Sequence, residues 1–167
     1  DNLGFSSAYI LSDLRNPLQI KDLAKTAIDK DIKILVNNAG MTCPNIGFHE
    51  INSQIINNMI DINLKAPIIL LNLLHKNINQ VININSMVGI EPKRNRSLYA
   101  ASKWGLKGFS DSLKKEELPY SVLDVYPTNI RTWPERENSM EVEYVTSKIY
   151  NSMISNENEL ILDGRKK

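Results

Sequence analysis

Tyr99 and Lys103, in Tyr99-Ala100-Ala101-Ser102-Lys103, stand four residues apart with Ser86 upstream, and these are the residues best suited to chemistry. At that spacing on a helix the two side chains share a face, one turn apart. A phenol titrates near ~10 and is a poor proton donor or acceptor at neutral pH unless something moves it. An ammonium held close favours the phenolate. A serine hydroxyl nearby can hold a substrate oxygen on which negative charge rises and falls. These types at this spacing describe a device for moving a proton as an alcohol and a carbonyl interconvert. Tyr and Lys at helical spacing also occur in any long helix as a half-buried ring beside a solvated cation, so the pair takes its meaning from its neighbours.

Those neighbours begin with Asn37-Asn38-Ala39-Gly40, which closes the apolar run Ile34-Leu35-Val36. Glycine there lets a ligand approach the backbone, although Asn and Gly are equally the residues of an ordinary turn. Asn63 sits among apolar residues in a helical stretch, where an amide is a poor choice for stability. Pro67 lacks the N–H that would meet the Asn63 carbonyl, leaving that oxygen for another partner such as a water. Pro127-Thr128-Asn129-Ile130-Arg131-Thr132 follows Val122-Leu123-Asp124-Val125. Ser12-Asp13, taken alone, looks like a helix cap, and Ser86 alone like a strand-end serine bonding its own loop.

The elements that must position these residues alternate in type. Short apolar runs predict strands at 8–11, 34–36, 81–84, 122–125 and 160–162. Between them, amphipathic stretches predict helices over 17–30, 53–75, 97–117 and 142–155. Leu18, Leu23, Ala24 and Ala27 form the expected stripe of the first helix, and Ile55, Ile56, Met59, Ile60 and Ile62 the buried face of the second. Strands alternating with helices predict a doubly wound α/β sheet, whose ligands bind beyond the carboxyl ends of the strands. Asn37, Ser86 and Pro127 each fall at such an end.

At 167 residues the chain is long enough for one domain with a sizeable core. A net charge of +1 gives no reason to expect nucleic acid as a partner. No apolar stretch approaches a membrane span. A single cysteine, Cys43, excludes an internal disulfide and fits a cytoplasmic location. His49 and His75 lack metal-ligand spacing, so no metal site is expected.

In their order and spacing these segments resemble the short-chain dehydrogenase/reductase family, from about Ser12 to Thr132 and more loosely beyond. The resemblance implies a Rossmann-like parallel sheet and a hydride transfer between NAD or NADP and a small-molecule carbonyl or secondary alcohol. It implies Tyr99 as acid/base, Ser86 as partner of the substrate oxygen, and Asn63 as holder of a water in a proton relay. It gives Lys103 two tasks, lowering the Tyr99 pKa and bonding the nicotinamide ribose. For the cofactor it further implies Asp13 at the adenine and Asn37, Ala39 and Gly40 beside the adenosine half. Pro127, Ile130 and Thr132 fall near the nicotinamide and the phosphates, with Tyr99 completing the set.

The long helices imply a homodimer or homotetramer when the protein is intact. Three departures stand out: Asn85 replaces a usual serine, Thr128 a usual glycine, and the glycine-rich phosphate loop is missing, since only Gly4 precedes Gly40. The expectation is therefore one partial domain over 1–167, N-terminally truncated. Its alternatives are a non-catalytic fragment, or a helix-mediated assembly module, unable to bind cofactor alone.

Overall fold

The computed structural model describes residues 7–42 and 46–165, so Gly4, Cys43 and the terminal Lys166-Lys167 lie outside the described residues. Helix α1 (Pro17–Asp29) leads to strand β1 (Ile34–Asn37). Helix α2 (Ser53–Ile60) runs through a π turn (Asp61–Lys65) into α3 (Ala66–Leu74). Then come β2 (Gln80–Ile84), α4 (Ser97–Leu113), β3 (Ser121–Pro127), α5 (Val142–Ile154) and β4 (Glu159–Leu162). The strands form a four-stranded sheet in the order β1-β2-β3-β4, every neighbouring pair parallel.

Local chemistry explains the helix starts. Asn16 caps α1, its side-chain oxygen accepting from the Leu18 N–H at 3.0 Å, and Pro17 takes the first turn, where its missing N–H costs nothing. The cap is thus Asn16, not Ser12-Asp13. The buried stripe of α1 also starts later than expected. Ile20 and Ala24 are buried with Leu23 and Ala27 beside them, whereas Leu18 is 72% exposed. Leu18 falls off the i, i+3, i+4, i+7 row that begins at Ile20.

Strand alternation divides the core in two. Leu35, Val81 and Val122 face α1, α3 and α4. Ile82, Leu123, Val125 and Leu162 face the other way, against Val145, Ile149 and Met153 of α5. That second layer stops short of β1. Val36 pairs in register with Ile82 and so faces the α5 side, yet it is 50% exposed, and Ile34 is 40% exposed. The outer edge of β1 has no partner strand among the described residues.

The strand expected at 8–11 does not form. Those residues are irregular, with Tyr9 and Leu11 each 96% exposed. Its apolar composition suits a strand, but a strand exists only by pairing its N–H and C=O groups with a neighbour. No such neighbour lies alongside among the described residues.

Candidate active site

The carboxyl ends of β1, β2 and β3 open onto a cleft of about 400 Å³. Of the residues singled out in the sequence, Gly40, Ser86, Tyr99, Lys103, Pro127, Ile130 and Thr132 all line it. Asn37 and Ala39 line a separate, mostly apolar cleft between α1, β1 and α3. Asp13 and Asn63 line neither.

Ser86 leaves the end of β2 in an extended conformation, and its Oγ accepts from the Val88 N–H at 3.3 Å, capping a short 3-10 turn. The same hydroxyl lies near the Tyr99 phenol on the cleft wall and acts to lower its pKa. Asn85 holds this arrangement from behind. Its Oδ1 accepts from the Ser86 N–H at 2.9 Å and its Nδ2 donates to the Lys103 carbonyl at 3.2 Å. Gly89 makes room for it, since a Cβ there would stand 2.7 Å from Asn85 Oδ1 and 3.3 Å from the Lys103 carbonyl oxygen. The residue that departs from the usual serine thus locks the serine beside it to α4.

Lys103 is buried at 5% exposure, donates from Nζ to the Ile84 carbonyl at 2.9 Å, and lies 5.9 Å from the centre of the Tyr99 ring. Desolvation lowers its pKa to about 8. The Tyr99 pKa is raised, because burial outweighs three opposing influences: the Ser86 hydroxyl, Arg96 and Arg136. Arg96 and Arg136 thus add their pull on the phenol.

Asn63 is 1% exposed and its amide is fully engaged. Oδ1 accepts from the Met41 N–H at 2.7 Å, and Nδ2 donates to the Met41 carbonyl at 2.8 Å and to Ser102 Oγ at 3.0 Å. Asn63 sits in the π turn just before Pro67, where the Asp61 carbonyl accepts from Ala66, five residues on. Without the Pro67 N–H, regular α geometry has no donor for the Asn63 carbonyl, and the chain takes the wider turn. The amide fastens the segment after Gly40 to the middle of α4.

Asn37 braces the sheet, donating to Asn83 Oδ1 at 2.8 Å, and Asn83 in turn donates to Ser110 Oγ at 3.0 Å. Asp13 forms an ion pair with Arg15 at 2.7 Å, which holds its carboxyl at about 2. Thr128 does not have a positive φ. Instead its N–H donates to the Leu162 carbonyl at 2.9 Å and its Oγ1 accepts from Gly164 at 2.9 Å, joining the end of β3 to β4.

The model of the short chain dehydrogenases matches residues 1–142. The chain belongs to that family. A human relative, dehydrogenase/reductase SDR family member 7C, is 31% identical over 146 residues, covering 80% of this chain and 46% of the relative. Among solved structures, the bulky-bulky ketone specific alcohol dehydrogenase of Comamonas testosteroni superposes with a TM-score of 0.81 at 25% identity, over 91% of this chain and 64% of that one. A short-chain dehydrogenase of Sphingobium yanoikuyae in complex with NADPH gives 0.79 at 26% identity, over 90% and 65%. The chain thus spans about half the length of the curated relatives it matches.

Within this member of the short-chain dehydrogenases, two cleft residues escaped the sequence pattern: Lys93 and Arg96. Arg96 was findable, since it lies three residues before Tyr99 on the same helix start. Arg136 stands on the loop after β3, and the tertiary course of that loop brings it to the cleft.

Proposed function

We propose that this chain carries the catalytic centre of an NAD(P)-dependent oxidoreductase interconverting a carbonyl and a secondary alcohol on a small molecule. The observation that carries the reading is that Ser86, Tyr99 and the buried Lys103 line one cleft, with Lys103 Nζ 5.9 Å from the centre of the Tyr99 ring.

The cleft suits the nicotinamide riboside end of the cofactor. A Cβ on Gly40 would stand 3.6 Å from Asn63 Oδ1 and 4.0 Å from Lys103 Nζ, so glycine keeps the approach to the lysine open. Lys103 would bond the ribose, with Pro127, Ile130 and Thr132 along the nicotinamide and its phosphates and Asn37 to Gly40 toward the adenosine. Among the described residues no glycine-rich turn at a helix N-terminus is present to cradle the diphosphate, and Asp13 is already paired with Arg15. When bound, the nicotinamide supplies a hydride in reduction and takes one up in oxidation.

The protein's own part is proton management. In reduction the substrate oxygen takes the place between the Ser86 and Tyr99 hydroxyls, both donating to it. As negative charge grows on that oxygen, Tyr99 Oη passes its proton across and Ser86 keeps its hydrogen bond. The phenolate that results faces the positive charges of Lys103, Arg96 and Arg136, and is reprotonated from the solvent in the cleft. A raised Tyr99 pKa keeps the phenol protonated at neutral pH, which favours the donating direction.

In the protein containing this segment, Tyr99→Phe is expected to lower turnover by about 10²–10⁴-fold. Cofactor affinity, read by nicotinamide fluorescence, stays within twofold. Undiminished turnover would sink the assignment. The same reading makes residues 1–167 part of one domain in a cytoplasmic homodimer or homotetramer. The single cysteine, and the exposed Phe48 and Trp104 on its helical side, support it.

A second reading, an assembly module without cofactor, is favoured by the uncovered face of β1. A sedimenting dimer with no nicotinamide fluorescence response would select it.

A further inference from the structure

Resting on that reading, the geometry points to a substrate class: we propose that the carbonyl compound carries an anionic group, seated by Arg96, Arg136 and Lys93 beside the Ser86–Tyr99 pair. Four cations, these three and Lys103, line the cleft, and no carboxylate is among its described lining residues. The imbalance is local. The chain as a whole has 20 basic against 19 acidic residues.

The placement of these cations works against local stability. Arg96 is the N-cap of α4, whose first turn contains no acidic residue, and Lys93 and Arg94 stand three and two residues before it. A helix N-terminus carries partial positive charge and prefers anions. Cations gathered there, at the mouth of a cleft, leave a positive field that an incoming anion neutralises. Guanidinium groups are also the side chains best shaped for two-pronged bonding to a carboxylate or phosphate.

The nearby acids are directed elsewhere. Glu91 pairs with Arg165 at 3.0 Å and Glu141 with Arg131 at 3.0 Å. Glu135 and Glu137 are exposed on the loop that bears Arg136 and do not line the cleft. That loop is fastened at its neck. Arg131 N–H donates to the Met140 carbonyl at 2.8 Å, Met140 N–H to the Asn129 carbonyl at 2.9 Å, and Arg136 itself to the Ile130 carbonyl at 3.2 Å. Arg136 is therefore held at the cleft, and both arginines lie near enough to Tyr99 to act on its titration.

Substrate and cofactor are the two possible sources of an anion here. The substrate is favoured because Lys93 and Arg96 belong to the segment that joins Ser86 to Tyr99, the two groups that bind the reacting oxygen. The class is thus a small oxo acid or a phosphorylated ketone, sized to a cleft of about 400 Å³.

The test is an NMR titration, without cofactor, of the protein containing this segment, reading the Arg96 and Arg136 Nε–H signals and the Tyr99 ring. The probes are pyruvate, acetoacetate and levulinate with their neutral methyl esters, dihydroxyacetone phosphate with neutral dihydroxyacetone, and inorganic pyrophosphate. At least one anionic carbonyl compound is expected to shift all three residues saturably. It should bind at least tenfold more tightly than its neutral counterpart, and Arg96→Gln should remove that preference while the spectrum stays folded. Equal binding of acid and ester, or no saturable shift with any carbonyl probe, overturns the proposal. So does binding of pyrophosphate alone, which would assign the cations to cofactor phosphates. Because this readout is binding, its failure is separable from failure of the catalytic assignment, which Tyr99→Phe tests by turnover.

Discussion

Lys103 is a buried amine that donates to the neutral carbonyl of Ile84, and desolvation governs its titration. Its charged form is disfavoured in the folded state, at about 8 against an ordinary 10.5. Between those values the unfolded chain holds more protons, so this residue's contribution to stability is complete above 10.5 and is lost as pH falls through 8. Function has the opposite preference, because the ammonium that faces a Tyr99 phenolate disappears as pH rises through 8. The Lys103 ¹³Cε resonance is expected to titrate near 8, and turnover to fall above it; a midpoint near 10.5 would remove burial as the cause. Asn85 acts through its neighbours. Asn85→Ala leaves the Ser86 N–H without this partner and removes the bond to the Lys103 carbonyl, and is expected to cost about 1–3 kcal/mol in denaturant unfolding. Asn85→Ser, which keeps one short polar group, should cost less. Equal losses for the two would show that the amide does not position Ser86.

At the scale of elements, the π turn decides where the segment after Gly40 lies. Asn63 makes three hydrogen bonds from inside it, two to Met41 and one to Ser102. Asn63→Ala leaves the part-buried Met41 N–H and carbonyl without this partner, and is expected to destabilise the protein by about 2–4 kcal/mol. It should also speed amide exchange at Met41; unchanged exchange there would mean the clamp is not what holds the segment. The helix, its length and its odd asparagine were legible from apolar spacing. The missing donor at Pro67 was legible too, but its consequence, a wider turn that engages the amide, depends on α4 packing alongside. Gly105 permits that approach, since a Cβ there would come within 2.8 Å of the Leu64 side chain. Strand positions 34–37, 80–84, 121–127 and 159–162 were readable within about two residues because both faces are mostly apolar. The segment 8–11 was misread for the complementary reason: composition reports what a strand would bury, not whether a partner exists. The cleft residues at strand ends were readable for the same reason as the strands. That Arg136 comes near Tyr99 was not legible, since no periodicity connects an irregular loop to a helix elsewhere in the chain.

Across the whole molecule the two faces of the sheet are unequally covered. α1, α3 and α4 close one face, whereas α5 covers β2, β3 and β4 on the other and leaves Ile34 and Val36 of β1 in contact with solvent. The adjoining outer edge of β1 has no strand beside it among the described residues. An open edge bordered by an apolar face is a template for pairing with another chain. This segment, expressed as it stands, is therefore expected to bind a hydrophobic dye and to self-associate with rising concentration, by a route separate from its helical side. Val36→Lys places a charge on that face at a half-exposed position, where packing loss is small. It should reduce both dye fluorescence and the concentration dependence of sedimentation, with stability changed by no more than about 1 kcal/mol. Trp104→Arg, on the exposed side of α4, should leave the dye signal unchanged. If Trp104→Arg abolishes association and Val36→Lys does not, the helices rather than β1 are the adhesive surface, and the uncovered strand face is tolerated by the isolated chain.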